Sequence, residues 1–436
     1  MKIGVSSLPV SGSMMPRDRR RRPPVHPVVR LDANCGFAGR PSRRAMADTI
    51  YATMVGAMRI FHCDHCDHLV FFENHSCVSC GRQLAFLPDI AEIGSLDPGT
   101  PGTWVSPLAG ASPFGYRLCA NYTTHNVCNW AIPADDPSPL CSSCRLTRAI
   151  PDPSILWQRA AWYKLEVAKR RLVYSLLQLR LPVADRVDDP VHGLAFEFLA
   201  DQPQASGPVL TGHLGGVITI NLAEADDAER ERRRLQLHEP YRTLLGHVRH
   251  EVGHYYWERL IAGTRLLGPF RNLFGDERVD YGAALQAHYQ NGAPADWQSR
   301  FVTTYATSHP WEDWAETWAH YLHMTETLET ALACGVSIRP RRRDEPALAR
   351  VPAAAGSPDV TFDRLMAGWF PLTYVLNNLN RGLGVPDAYP FVLSQPAIEK
   401  LRFVHDVIAA GATARPAAAP AESATGADSA SQAASA

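Results

Sequence analysis

Eight of the ten cysteines in this chain fall between Cys63 and Cys144, and six of those form three Cys-x-x-Cys pairs. The pairs are Cys63/Cys66, Cys77/Cys80 and Cys141/Cys144, with Cys119 and Cys128 completing the eight and Cys35 and Cys334 standing apart. A small secreted module would spend so many thiols on disulfides. This chain has 436 residues, enough to bury a core without staples, and its start lacks an apolar signal core and a small-residue cleavage site. Paired cysteines in that setting mean metal. Each Cys-x-x-Cys places two thiolates on a tight turn facing one ion, and two such turns make a tetrahedral site. The arm between Cys66 and Cys77 carries the strand-like Leu69-Val-Phe-Phe72, so Cys63, Cys66, Cys77 and Cys80 are expected to hold a first structural zinc as a zinc ribbon. Cys119, Cys128, Cys141 and Cys144 form a second set of four, with a looser first half. With four thiolates available, His62, His65, His68 and His75 are expected to be solvated. Four ligands leave no position for water, so these zincs would support folding rather than chemistry.

Residues 1–57 lack hydrophobic periodicity and include the run Arg17–Arg22 beside prolines. They are expected to be a disordered extension of a chain that properly starts near Met58, in preference to a basic nucleic-acid arm. Residues 411–436 are rich in Ala, Ser and Pro without aromatics, and are expected to be a disordered tail. A Cys-rich module at 58–150 and a catalytic block at 151–410 remain. Net charge is −1, from 43 basic and 44 acidic side chains, which argues against nucleic acid or an anionic membrane as partner. No run of 18 apolar residues is present, so no membrane span is expected and the location is expected to be cytoplasmic. Ala160–Arg180 reads as an amphipathic scaffold helix with a solvated basic face, and Leu365–Leu379 and Ala397–Ile408 as helices closing the core. Trp311, Trp314 and Trp318 are expected to pack in that core.

The chemistry concentrates in Leu244–Trp257, which contains His250-Glu-x-x-His254. Leu244, Val248, Val252 and Tyr255 recur at helical spacing. Two imidazoles at i and i+4 share a helix face and can both reach one zinc ion at about 2.1 Å. Glu251 falls beside that ion, placed to act as general base. The preceding Gly215–Leu222 reads as a strand, giving the strand-then-helix order of a zincin cleft. His247 is expected to pack or to support the site rather than to bind metal. A catalytic zinc needs a third protein ligand and an open position. Trp257 and Leu260 stand where an extended metzincin motif would need Gly and His, so the third ligand is a later carboxylate. Two regions offer one: Asp276 and Glu277, or Glu312, Asp313 and Glu316. In the second, Pro310 sits where a helix begins and two carboxylates stand one turn apart at 312 and 316.

Tyr305, Glu312, Ala315 and Glu316 resemble the Tyr…Glu-x-x-Ala-Glu arrangement of lethal-factor-type gluzincins. That resemblance implies Glu312 as third zinc ligand, Glu316 as the residue supporting the site, and Tyr305 as the hydroxyl that steadies the oxyanion. From about 58 to 410 the chain also resembles bacterial zinc-binding metallopeptidases with an N-terminal zinc ribbon. FHCDHCDHLVFFEN, HVRHEVGHYYW, LFGDERVDY and WEDWAETWAHYLH carry that likeness. The expected fold is α+β, a zincin-like domain preceded by a double zinc-ribbon module. The expected function is zinc-dependent hydrolysis of peptide bonds in a peptide or protein substrate, with one catalytic zinc and one or two structural ones. The alternative is a non-enzymatic adaptor whose ribbon binds protein or nucleic acid. An intact His250/Glu251/His254 set disfavours it, because a scaffold has no need of a general base.

Overall fold

The computed structural model describes residues 60–201, 207, 209–236, 242–348 and 360–413. The expected disorder of 1–57 lies outside these residues, as does that of the tail after Thr413, whereas residues 411–413, expected in that tail, are helical. All described residues belong to one compact unit. The Cys-rich part is built from short antiparallel pairs. Strand β1 (Phe61–His62) pairs with β2 (Leu69–Val70), and β3 (Leu84–Leu87) with β4 (Glu92–Ser95). A four-stranded sheet follows in the order β5 (Asp97–Pro98), β6 (Trp104–Val105), β7 (Tyr116–Leu118), β8 (Ala131–Pro133). The short helix α1 (Ala120–Thr123) starts directly after Cys119.

The second four-stranded sheet has the order β11 (Gly212–Leu214), β12 (Val217–Asn221), β10 (Ala195–Leu199), β9 (Thr147–Ala149). Strand β10 runs parallel to both β12 and β9, whereas the edge strand β11 is antiparallel to β12. Gly215 and Gly216, both with positive φ, make the two-residue turn between β11 and β12. A turn with two positive φ values matches the twist of the strands it joins. The expected strand at 215–222 is therefore β12, inside the sheet, and β11 is the edge that reaches the candidate site. Strand β9 lies on the Cys-rich side of the expected boundary at 150, yet it completes this sheet.

Helix α2 (Leu156–Gln178) links the two parts, and here the expectation of a solvated basic face is wrong. Lys169 and Arg170 are both buried. Lys169 pairs with Glu166 at 2.9 Å, while Arg170 donates to the Val127 carbonyl. The Arg170 guanidinium is close enough to Cys128, Cys141 and Cys144 to feel their charge, and its Nε and Nη2 find no hydrogen-bond partner among the described residues. The two buried cations thus face different partners, Lys169 the Glu166 carboxylate and Arg170 the second cysteine set.

Helix α3 (Asp227–Gln236) precedes α4 (Leu244–Leu260), which carries the His-Glu-x-x-His segment. Thr243 caps α4, its side chain accepting from the Gly246 amide at 3.0 Å. Helices α5 (Leu267–Phe274) and α6 (Tyr281–Asn291) lead to α7 (Pro310–Ala333), which opens with Pro310 in its first turn and His309 as cap. Gly253 lets α4 and α7 approach closely: a Cβ there would lie 3.0 Å from Ala315 Cα and 3.2 Å from Trp318 Cβ. Trp314 and Trp318 are fully buried and Trp311 partly so. Helices α8 (Phe362–Gly382) and α9 (Gln395–Thr413) close the core, as expected. Among the described residues no helix is long and apolar enough to cross a membrane.

Candidate metal centres

The first four cysteines converge. Cys63 Sγ lies 3.7 Å from Cys80 Sγ, and Cys66 Sγ lies 3.6 Å from Cys77 Sγ. Four sulfurs arranged tetrahedrally at about 2.3 Å from one zinc stand about 3.8 Å apart, so the set fits that ion. The amides of Cys80 and Ser79 point at Cys77 and pull its thiol down to about 6. Burial instead pushes Cys63 up to about 12. His62, His65 and His68 are exposed, as expected. His75 differs: its ring packs on Tyr122 with centroids 4.6 Å apart.

Cys119, Cys128, Cys141 and Cys144 form the second set, and all four are buried. Cys128 and Cys141 sulfurs are 3.7 Å apart. The Trp130 amide donates to Cys128 at 3.3 Å, and the Cys141 amide donates to Cys119 at 3.4 Å. The loose spacing of Cys119 and Cys128 closes because α1 and a left-handed turn at Asn126 (φ 56°) lie between them.

The third group joins two helices distant in sequence. His250 Nε2 lies 3.0 Å from Glu312 Oε2 and 3.3 Å from His254 Nε2, and His254 Nε2 lies 3.5 Å from Glu312 Oε1. Three ligands tetrahedral about one zinc at about 2.0–2.1 Å stand about 3.3–3.4 Å apart, so these donors also fit. Glu316, one turn after Glu312, meets His250 Nδ1 at 2.7 Å. A carboxylate on Nδ1 fixes the tautomer whose Nε2 lone pair is free to bind metal. Asp276 and Glu277, the competing carboxylates, are engaged elsewhere. Asp276 pairs with Arg278 at 2.7 Å, and Glu277 makes a two-pronged pair with Arg271.

Glu251 is buried on α4 beside this group. Burial would raise its carboxyl, but His247 and the two imidazoles outweigh that and hold it below the usual range. Tyr305, in the short turn Tyr305–Thr307, lies with its ring 6.0 Å from that of His250. Burial, aided by the Glu312 charge, pushes its phenol well above the usual range, so it stays a donor. The His213 ring of β11 stacks nearly parallel to that of His254, centroids 6.2 Å apart.

Two participants escape sequence reasoning. Tyr281 donates to Glu312 Oε1 at 2.8 Å, and Glu224 lies 3.7 Å from His247. Tyr281 follows the Asp280 cap of α6, and a capping Asp signals a helix start but not what the next side chain touches.

A zinc-ribbon module with two four-cysteine sites, followed by an α+β domain whose helices bring together two histidines and a glutamate, defines a zinc metallopeptidase-like protein. Residues 158–407 match the family described as "Putative zinc-binding metallo-peptidase", and residues 60–155 match a zinc-ribbon domain. The chain belongs to that metallopeptidase family. It is similar to proteins of Mycobacterium bovis and Mycobacterium tuberculosis, each described as "Uncharacterized protein". Each is 45% identical over 352 residues, covering 80% of this chain and 95% of the relative. No solved structure matches the chain.

Proposed function

We propose that the protein is a gluzincin-type peptidase in which His250, His254 and Glu312 hold a catalytic zinc. The convergence of these three side chains, with Glu316 on the outer nitrogen of His250, is the observation that carries this reading. When bound, zinc supplies a Lewis acid for the scissile carbonyl and the attacking water. The Glu251 carboxylate accepts a proton from that water and returns it to the leaving amine. Tyr305 Oη donates to the oxygen that gains charge as the carbonyl is attacked. Tyr281 orients Glu312 by holding one of its oxygens. The eight ribbon thiolates hold two structural zincs, for a total of three.

His250→Ala should lose the catalytic zinc and hydrolysis together, whereas Tyr305→Phe should keep zinc and lose about 10²–10³ in kcat. Metal content and peptide turnover measured on the same preparations test this. His250→Ala protein that keeps both would refute the assignment.

A further inference from the structure

His247 lies one turn before Glu251 on α4, and its Nε2 is 3.2 Å from Glu251 Oε1. Its Nδ1 is 3.7 Å from Glu224 Oε2. Glu224 sits in the short turn Leu222–Ala225 that follows β12, and it is 1% exposed. Its other oxygen accepts from Arg233 at 2.8 Å and from Arg242 at 3.1 Å. A carboxylate so deeply buried is costly unless its charge is answered. Here two arginines and His247 answer it. Burial alone would favour a neutral His247 ring, but the Glu224 and Glu251 carboxylates outweigh it and carry the ring up to about 8. Between the two carboxylates the ring makes ion-pair contacts on both sides, close to Glu251 and longer to Glu224, where Nδ1 and Oε2 find no hydrogen-bond partner among the described residues.

We infer that Glu224 and His247 are positioning residues that hold the general base, the imidazole bridging a buried anchor on the sheet side to Glu251 on the helix. The inference rests on the reading of Glu251 as a peptidase base. A carboxylate that fixes the rotation and protonation of an imidazole is the device hydrolytic triads use to orient a base. Here the oriented ring grips Glu251 Oε1 and leaves Oε2 for the proton of the attacking water. The terminal torsion of a free Glu side chain is broad, and a base that swings loses the geometry on which the rate depends. Glu224 adds what α4 alone lacks, a fixed point outside the helix.

The test uses the full chain loaded with zinc, as His247→Leu, His247→Gln and Glu224→Gln. His247→Leu should lower kcat about 10–100-fold with KM and zinc content unchanged. His247→Gln, whose amide can still donate to Glu251, should recover part of that loss. A purely structural residue would lower zinc content and melting temperature as well, and would show no such rescue. Nitrogen-15 spectra of the ring give a readout independent of turnover. Wild-type His247 should be protonated on both nitrogens at neutral pH and should lose one proton in Glu224→Gln. His247→Leu with wild-type kcat, or a singly protonated ring in the wild type, overturns the inference and leaves the peptidase reading standing. Wild-type protein that cleaves no peptide overturns the peptidase reading, and the inference falls with it.

Discussion

Glu312 lies far beyond His254 in sequence, yet its carboxylate sits 3.0 Å from His250 and 3.5 Å from His254. Losing it would leave two imidazoles, so Glu312→Ala should strongly weaken catalytic zinc binding. Glu316→Ala removes only the carboxylate on His250 Nδ1 and should weaken binding about 10–100-fold. Competitive zinc titration separates the two, and full occupancy in Glu312→Ala would contradict the assignment. The histidine pair was legible because helical periodicity puts i and i+4 on one face whatever the rest of the fold does. Choosing Glu312 over Asp276 or Glu277 was not legible from spacing alone. Sequence does not reveal that Arg271 and Arg278 already engage the competitors. Tyr281 and Glu224 were invisible for the same reason: each acts across a tertiary contact.

At the scale of elements, the site depends on how closely α4 and α7 pack. Gly253 sits inside the His-Glu-x-x-His segment, its carbonyl accepts from Trp314 Nε1 at 2.8 Å, and an added methyl would meet the α7 backbone. Alanine would gain about 1 kcal/mol of helix propensity. Forcing extra volume into a packed interface costs about 1–3 kcal/mol, and here the obstacle includes a backbone atom that cannot rotate away. Gly253→Ala should therefore be less stable than the wild type and should bind catalytic zinc more weakly, because Glu312 retreats with α7. Thermal melts with zinc titration check this. A more stable variant with unchanged affinity would show that the spacing is slack. The helices themselves were legible from periodicity and Pro310; the Thr243 cap was not read from the sequence. Their crossing distance was not, since it depends on side chains from both.

Across the whole molecule, the ribbon and the catalytic part share structure instead of meeting as separate beads. Strand β9, which follows the short turn Cys144–Leu146, pairs with β10, and Arg170 of α2 lies buried beside the second cysteine set. Without a metal in that set, four buried thiols would stand beside a buried guanidinium, a costly arrangement. Purified reduced protein should carry about three zinc ions, each structural one held by four thiolates. Cys141→Ser with Cys144→Ser should destabilise the catalytic part itself, and a chain beginning at residue 151 should not fold stably. Metal analysis and melting curves test both statements, and a stable truncated chain would contradict them. The Cys-x-x-Cys pairs marked the ribbon, but the shared sheet was hidden. Three residues of β9 carry too little pattern to announce a parallel partner nearly fifty positions away.

Peptide hydrolysis by this fold, as proposed, depends on Glu251 as base. Proteome-wide cleavage profiling of the wild type against Glu251→Gln tests it most directly, with zinc content measured in both. Glu251 is not among the three metal-facing side chains, so the variant should keep its zinc yet lose cleavage by several orders of magnitude. New peptide termini appearing only with the wild type are the predicted result. Equal cleavage by both proteins, or none by a fully zinc-loaded wild type, would refute Glu251 as the base of a peptidase.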